Sequence, residues 1–164
     1  MRAADLAQHV PLVTRDTSAV DAARVLTELT ELGGGGLVVA DDAGVPVALL
    51  AGTDLLRLVV PRYVLDDPRL AHVYDEAGAA ELVSRLDGHR LGEILDGEDV
   101  ATRKLPSVLP EDTLVEIAAL MCGSRTPVVL VRDRAGTYHG VVTLARLTAV
   151  MLELAGATDG PGGA

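Results

Sequence analysis

Side chains able to do chemistry are sparse in this chain of 164 residues. The histidines His9, His72, His89 and His139 lack the short spacings at which imidazoles share a metal ion. Cys122 is the single cysteine, which excludes an internal disulfide and a thiolate zinc site. It falls on an apolar helix and is expected as a core thiol. No serine or cysteine stands with a histidine in a context that suggests a nucleophile and its base. The glycine run 33–36 lacks the Lys-Ser/Thr that should follow in a phosphate loop. Hydrogen bonding and charge remain, so binding is better supported than catalysis. Asp54 opens an apolar helix, where capping and the helix dipole by themselves favour an acid. Thr53 and Thr143 also stand at helix starts as capping hydroxyls. Arg125, Arg132, Arg134 and Arg146 cluster in the last third, the least repulsive place for a phosphate-bearing ligand.

The elements that position these groups must be built without large rings. Apolar residues make up 49% of the chain and aromatic residues 2%, so the core is Leu, Val and Ala. The net charge of −10 argues against nucleic acid or an anionic membrane surface as the main partner. Charge is unevenly placed: residues 1–60 carry four basic and eight acidic groups, 61–99 four and ten, and 100–164 six of each. The first ten residues hold no long apolar run, so no secretory leader is expected. No stretch approaches the ~20 apolar residues of a membrane helix. A cytoplasmic protein without membrane insertion is expected.

The chain repeats itself. Arg2-Ala-Ala-Asp-Leu6 parallels Arg90-Leu-Gly-Glu-Ile94, Asp16-Thr17 parallels Asp112-Thr113, and Gly44 through Leu55 parallels Gly136 through Leu147. Each copy predicts a short amphipathic opening and then, in the first copy, an apolar stretch over Val10–Val13. A capped helix follows, over Ser18–Leu32 or Thr113–Cys122, and Ser18 with Asp21 has capping-box spacing. Next come two β-rich runs around a turn: Leu37–Ala40 and Pro46–Leu50 about Asp41-Asp-Ala-Gly44, then Val128–Val131 and Tyr138–Val142 about Asp133-Arg-Ala-Gly136. A closing apolar helix spans Thr53–Val60 or Leu144–Leu154. Gly33 to Gly36 is read as the stop of the first helix.

This β-α-β-β-α order, written twice, resembles the tandem cystathionine-β-synthase (CBS) domain pair, or Bateman module. The resemblance is carried by Thr14-Arg-Asp-Thr-Ser-Ala-Val-Asp-Ala-Ala23, by Asp41 through Leu55, by Val108 through Ala118 and by Gly136 through Leu147. It implies an α+β (α/β sandwich) fold of two packed repeats related by a pseudo-twofold axis. The expected domains are 1–60 for the first repeat, 61–89 for an acidic helical insert, 90–155 for the second repeat and 156–164 for a flexible tail.

The family holds adenosyl ligands in two related clefts, at a pattern of Gly, two apolar residues, Thr or Ser, two residues and Asp. The hydroxyl and the helix amides suit a phosphate, and the carboxylate can accept from both ribose hydroxyls. Each copy here keeps half of the pattern. The first has Asp54 but Ala51 in the hydroxyl place, with Thr53 beside it as a cap or phosphate donor. The second has Thr143 but Arg146 in the Asp place. A guanidinium only donates, so Arg146 either closes the second cleft, the favoured reading, or tunes it to a more anionic ligand. Arg125, two residues before Pro127-Val128, resembles a family phosphate contact, and a solvated surface residue is the favoured reading.

The insert holds Tyr63, Tyr74 and His72, with a helix start at Asp66-Asp-Pro68 and a helical piece over Asp75–Leu86 broken at Gly78. One of these rings over a cleft mouth is the functional reading, and plain packing the commoner one. The resemblance implies a homodimer and no resident cofactor. It implies a stand-alone regulatory role in which AMP, ADP, ATP or S-adenosylmethionine binds and an effector or transporter protein reads the change. The alternative is an oligomerisation or interaction module with decayed sites.

Overall fold

The computed structural model describes residues 1–28, 36–97 and 102–156. In chain order these form α1 (Ala3–Leu6), β1 (Leu12–Val13), α2 (Ala19–Glu28), β2 (Gly36–Ala40), β3 (Pro46–Ala51) and α3 (Gly52–Leu55), which runs into a 3-10 turn at Leu56–Leu58. The insert supplies α4 (Arg62–Asp66), a 3-10 segment (Pro68–Val73) and α5 (Glu76–Ser84). Then follow α6 (Leu91–Leu95), β4 (Arg103–Lys104), β5 (Ser107–Val108), α7 (Leu114–Ser124), β6 (Val128–Arg132), β7 (Tyr138–Thr143) and α8 (Leu144–Leu154). The repeated order and the mixed α+β class are as expected. The predicted end of the first helix near Leu32, its stop at Gly33 to Gly35 and the tail beyond 156 lie outside the described residues. Gly36 opens β2.

The chain packs as two compact units that do not follow the sequence repeats. One holds residues 1–10 with 105–156; the other holds 11–28, 36–97 and 102–104. The opening segment of each repeat therefore joins the body of the other repeat. The bonds responsible are equivalent in the two units. In the first, Arg2 bridges to Thr113 and its Nη1 donates to the Glu111 carbonyl at 2.6 Å, while Ala3 N donates to Asp112 O at 2.8 Å. In the second, Arg90 bridges to Ser18 and its Nη1 donates to the Asp16 carbonyl at 2.8 Å, while Leu91 N donates to Thr17 O at 3.0 Å. Each helix of four or five residues is too short to be stable alone and is held by this docking.

In the first unit, parallel β5–β6 and antiparallel β6–β7 make a three-stranded sheet. Gln8 adds an antiparallel bridge to Val141. Ala3 and Leu6 of α1, Ile117 and Met121 of α7, Val129, Val131 and Val142 of the sheet, and Leu147 and Val150 of α8 form one buried cluster. The i, i+4 stripe Ile117–Met121 sets the buried face of α7. Cys122 lies roughly 100° around from Met121 and is exposed, not the expected core thiol.

The second unit has a four-stranded sheet in the order β1-β2-β3-β4, parallel at β1–β2 and antiparallel elsewhere. Its buried residues include Val13, Ala19, Ala22, Leu37, Leu50, Leu55, Leu91 and Ile94. Both hairpins use one turn chemistry. Asp41 Oδ1 accepts from Val45 N at 2.9 Å and Asp133 Oδ1 from Thr137 N at 2.8 Å, with Gly44 and Gly136 at φ of +76° and +90°. The insert corrects one expectation: Gly78 does not break α5. It lies in the first turn, where its N–H is capped by Asp75 Oδ1 at 2.8 Å. The Tyr63 and Tyr74 hydroxyls hydrogen-bond to each other.

Candidate ligand site

The residues singled out in sequence all sit at ends of helices, but they do different things. α8 begins as the sequence predicts, with Thr143 as its cap. Its Oγ1 accepts from Arg146 N at 3.2 Å, and the side chain is fully buried. Gln8 Nε2 donates to the same oxygen at 3.1 Å. Both acceptor positions of the hydroxyl are used inside the protein. Thr143 is therefore a structural cap first, and Gln8 covers it.

α3 begins differently. Its cap is Ala51, which offers no side-chain bond, and Thr53 lies inside the helix and exposed, so Thr53 does not cap it. Asp54, in the first turn, has a side chain only 16% exposed, and its Oδ1 accepts from Arg57 Nε at 3.1 Å. A ligand diol at Asp54 has to share that carboxylate with Arg57. The helix is shorter than the expected Thr53–Val60 because it tightens into the 3-10 turn at Leu56.

Arg125 is not at a helix start. It ends α7 in the left-handed conformation, φ +51°, where its N–H donates to Met121 O. It is the one residue other than glycine with positive φ among those described. Its backbone serves as the stop of α7, and the side chain is exposed.

Arg146 lies on the exposed face of α8 and lines a cavity of about 420 Å³ with Asp5, Leu6, Ala7, Gln8, Ala145 and Ala149. Every one of these residues belongs to the unit of residues 1–10 and 105–156. Arg146 thus stands beside a hollow within that unit. The lining made by Asp5 to Gln8 was not legible from the repeats, because the opening segment packs with residues 105–156 and not with the rest of its own repeat. Arg57 was detectable from its i, i+3 spacing to Asp54.

Comparison with known proteins agrees with this architecture. The family model for the CBS domain matches residues 97–153. A CBS domain-containing protein of unknown function from Kribbella flavida is 33% identical, with 93% of this chain and 99% of that one covered and a TM-score of 0.75. CBSX2 from Arabidopsis thaliana shares the fold at 21% identity, covering 96% and 98%, with a TM-score of 0.63. CBSX2 has also been solved in complex with AMP; that structure matches with a TM-score of 0.60. A probable manganese-dependent inorganic pyrophosphatase from Thermotoga maritima is 29% identical over 129 residues, and the chain spans 23% of its length. The repeated elements, the docked opening helices and the full-length likeness to the Kribbella protein lead to one conclusion: this chain belongs to the CBS-domain proteins, as a tandem CBS pair.

Proposed function

We propose that this CBS pair is a regulatory, non-catalytic module of the cytoplasm that binds an adenosyl ligand and reports its presence to a partner protein. The observation that carries the reading is the cavity of about 420 Å³ beside Arg146, of a size suited to a small ligand. The complex of CBSX2 with AMP supports it. A homodimer through the outer helices fits as well, since Val115 on α7 and Met151, Leu152 and Leu154 on α8 are exposed apolar residues. The reader of the signal is an effector or transporter protein.

Calorimetric titration with AMP, ADP, ATP and S-adenosylmethionine tests this, beside Asp54→Ala and Arg146→Gln. Binding by the wild type is expected, and the weakened variant identifies the cleft used. Absence of binding for all four sinks the sensing role. It favours instead an interaction module with decayed sites, a reading supported by Ala51 in the hydroxyl place and by the Arg57 pairing of Asp54. Size-exclusion with light scattering tests the dimer; a monomer at all concentrations contradicts it.

A further inference from the structure

We propose that the cavity beside Arg146 selects its ligand through a phosphate monoester held by that guanidinium, and does not read a ribose diol. This rests on the ligand-binding reading above and narrows it to one chemistry at one site.

Among the described residues no side chain pairs with the Arg146 guanidinium; its backbone N–H alone is engaged, by Thr143. The guanidinium carries five donors and no acceptor. It cannot accept from two ribose hydroxyls as a carboxylate does. It matches an acceptor-only group with paired oxygens, which phosphate offers bidentately. Thr143 does not compensate, because its oxygen is buried and already accepts from Gln8 and Arg146. The small side chains of Ala7, Ala145 and Ala149 line the same cavity.

The cavity lining also holds one side chain of the opposite sign. It is Asp5, with Oδ2 tied to Arg2 N at 2.8 Å. An anion in the cavity is repelled by Asp5 and attracted by Arg146. The wider field permits an anion there. Residues 1–10 and 105–156 hold five basic and six acidic side chains; residues 11–28, 36–97 and 102–104 hold nine and fourteen. The corresponding positions of α3 carry Asp54 and Arg57 in place of Arg146 and Ala149, so the two repeats present different polar groups at their closing helices.

The test is calorimetric titration of the full chain with AMP, 2′-deoxy-AMP and adenosine, with inorganic phosphate as competitor. Wild type and Arg146→Gln are compared, and circular dichroism checks that the variant folds. AMP and 2′-deoxy-AMP are expected to bind alike and adenosine about tenfold or more weaker. Phosphate is expected to compete with AMP. Arg146→Gln is expected to cost AMP about tenfold and leave adenosine unchanged. Equal binding of adenosine and AMP by the wild type, or AMP binding insensitive to Arg146→Gln, overturns the phosphate assignment while the sensing role stands. Failure of the wild type to bind any of the three overturns both.

Discussion

Gly140→Ala tests the link between the repeat architecture and the ligand site. Gly140 lies in β7 at φ +132°, a conformation open almost to glycine alone. A Cβ built there meets the Gln8 carbonyl oxygen at 3.0 Å, Ala7 Cβ at 3.2 Å and Gln8 N at 3.3 Å. Two of these atoms are backbone and cannot swing aside as a flexible side chain would. The substitution therefore costs about 1–3 kcal/mol in dihedral strain. It also strains the pair of bonds between Gln8 and Val141, each 2.9 Å long, worth about 0.5–1.5 kcal/mol apiece. A loss of about 2–4 kcal/mol follows, a large part of a typical domain's 5–15 kcal/mol. With m about 2 kcal/mol/M, the urea midpoint falls by about 1–2 M. Ligand affinity falls too, because Ala7 and Gln8 wall the cavity. The control lies in the other repeat. Ala48 occupies the matching place in β3, opposite Lys104, without positive φ. Ala48→Gly is expected to cost no more than about 1 kcal/mol. A Gly140→Ala midpoint within about 0.3 M of wild type, at unchanged m, would falsify the reasoning.

Ile117→Ala empties a fully buried position in the cluster of α1, α7, α8 and the sheet and is expected to cost about 2–5 kcal/mol in urea unfolding; a change near zero means that the cluster is not load-sharing. Glu116 and Asp133 have carboxyls held below the usual range, the first by the Thr113 N–H and hydroxyl, the second by the Thr137 N–H and His139. Their stabilisation is full above the unfolded values of about 4 and is lost as pH falls through the lower folded values. Glu116→Gln with Asp133→Asn should flatten the acid limb of the urea midpoint against pH, and an unchanged limb refutes this. Cys122, exposed at the end of α7, should take up maleimide stoichiometrically in the native state; labelling that requires denaturant contradicts its placement.

Local chemistry explains what was legible. Turn residues Asp41 and Asp133 with Gly44 and Gly136, the Thr113 capping box and the apolar strands act over a few residues, so their spacing survives in sequence. The family resemblance was readable for the same reason. Three things were not. Cys122 follows from which stripe of α7 faces the sheet, and an apolar helix offers more than one. Arg125 ends its helix in a left-handed conformation that its residue type does not announce. The Thr143 hydroxyl is claimed by Gln8, 135 residues away in sequence.

The composition of the chain determined a ring-poor core, and its repeats determined two β-α-β-β-α copies with unlike polar residues at the closing helices. Tertiary structure decided which pieces share a unit. Arg2 and Arg90 each find carbonyls of the other repeat, a choice made by long-range hydrogen bonding that no local spacing encodes. That exchange brings Asp5 to Gln8 against Arg146 and creates the cavity.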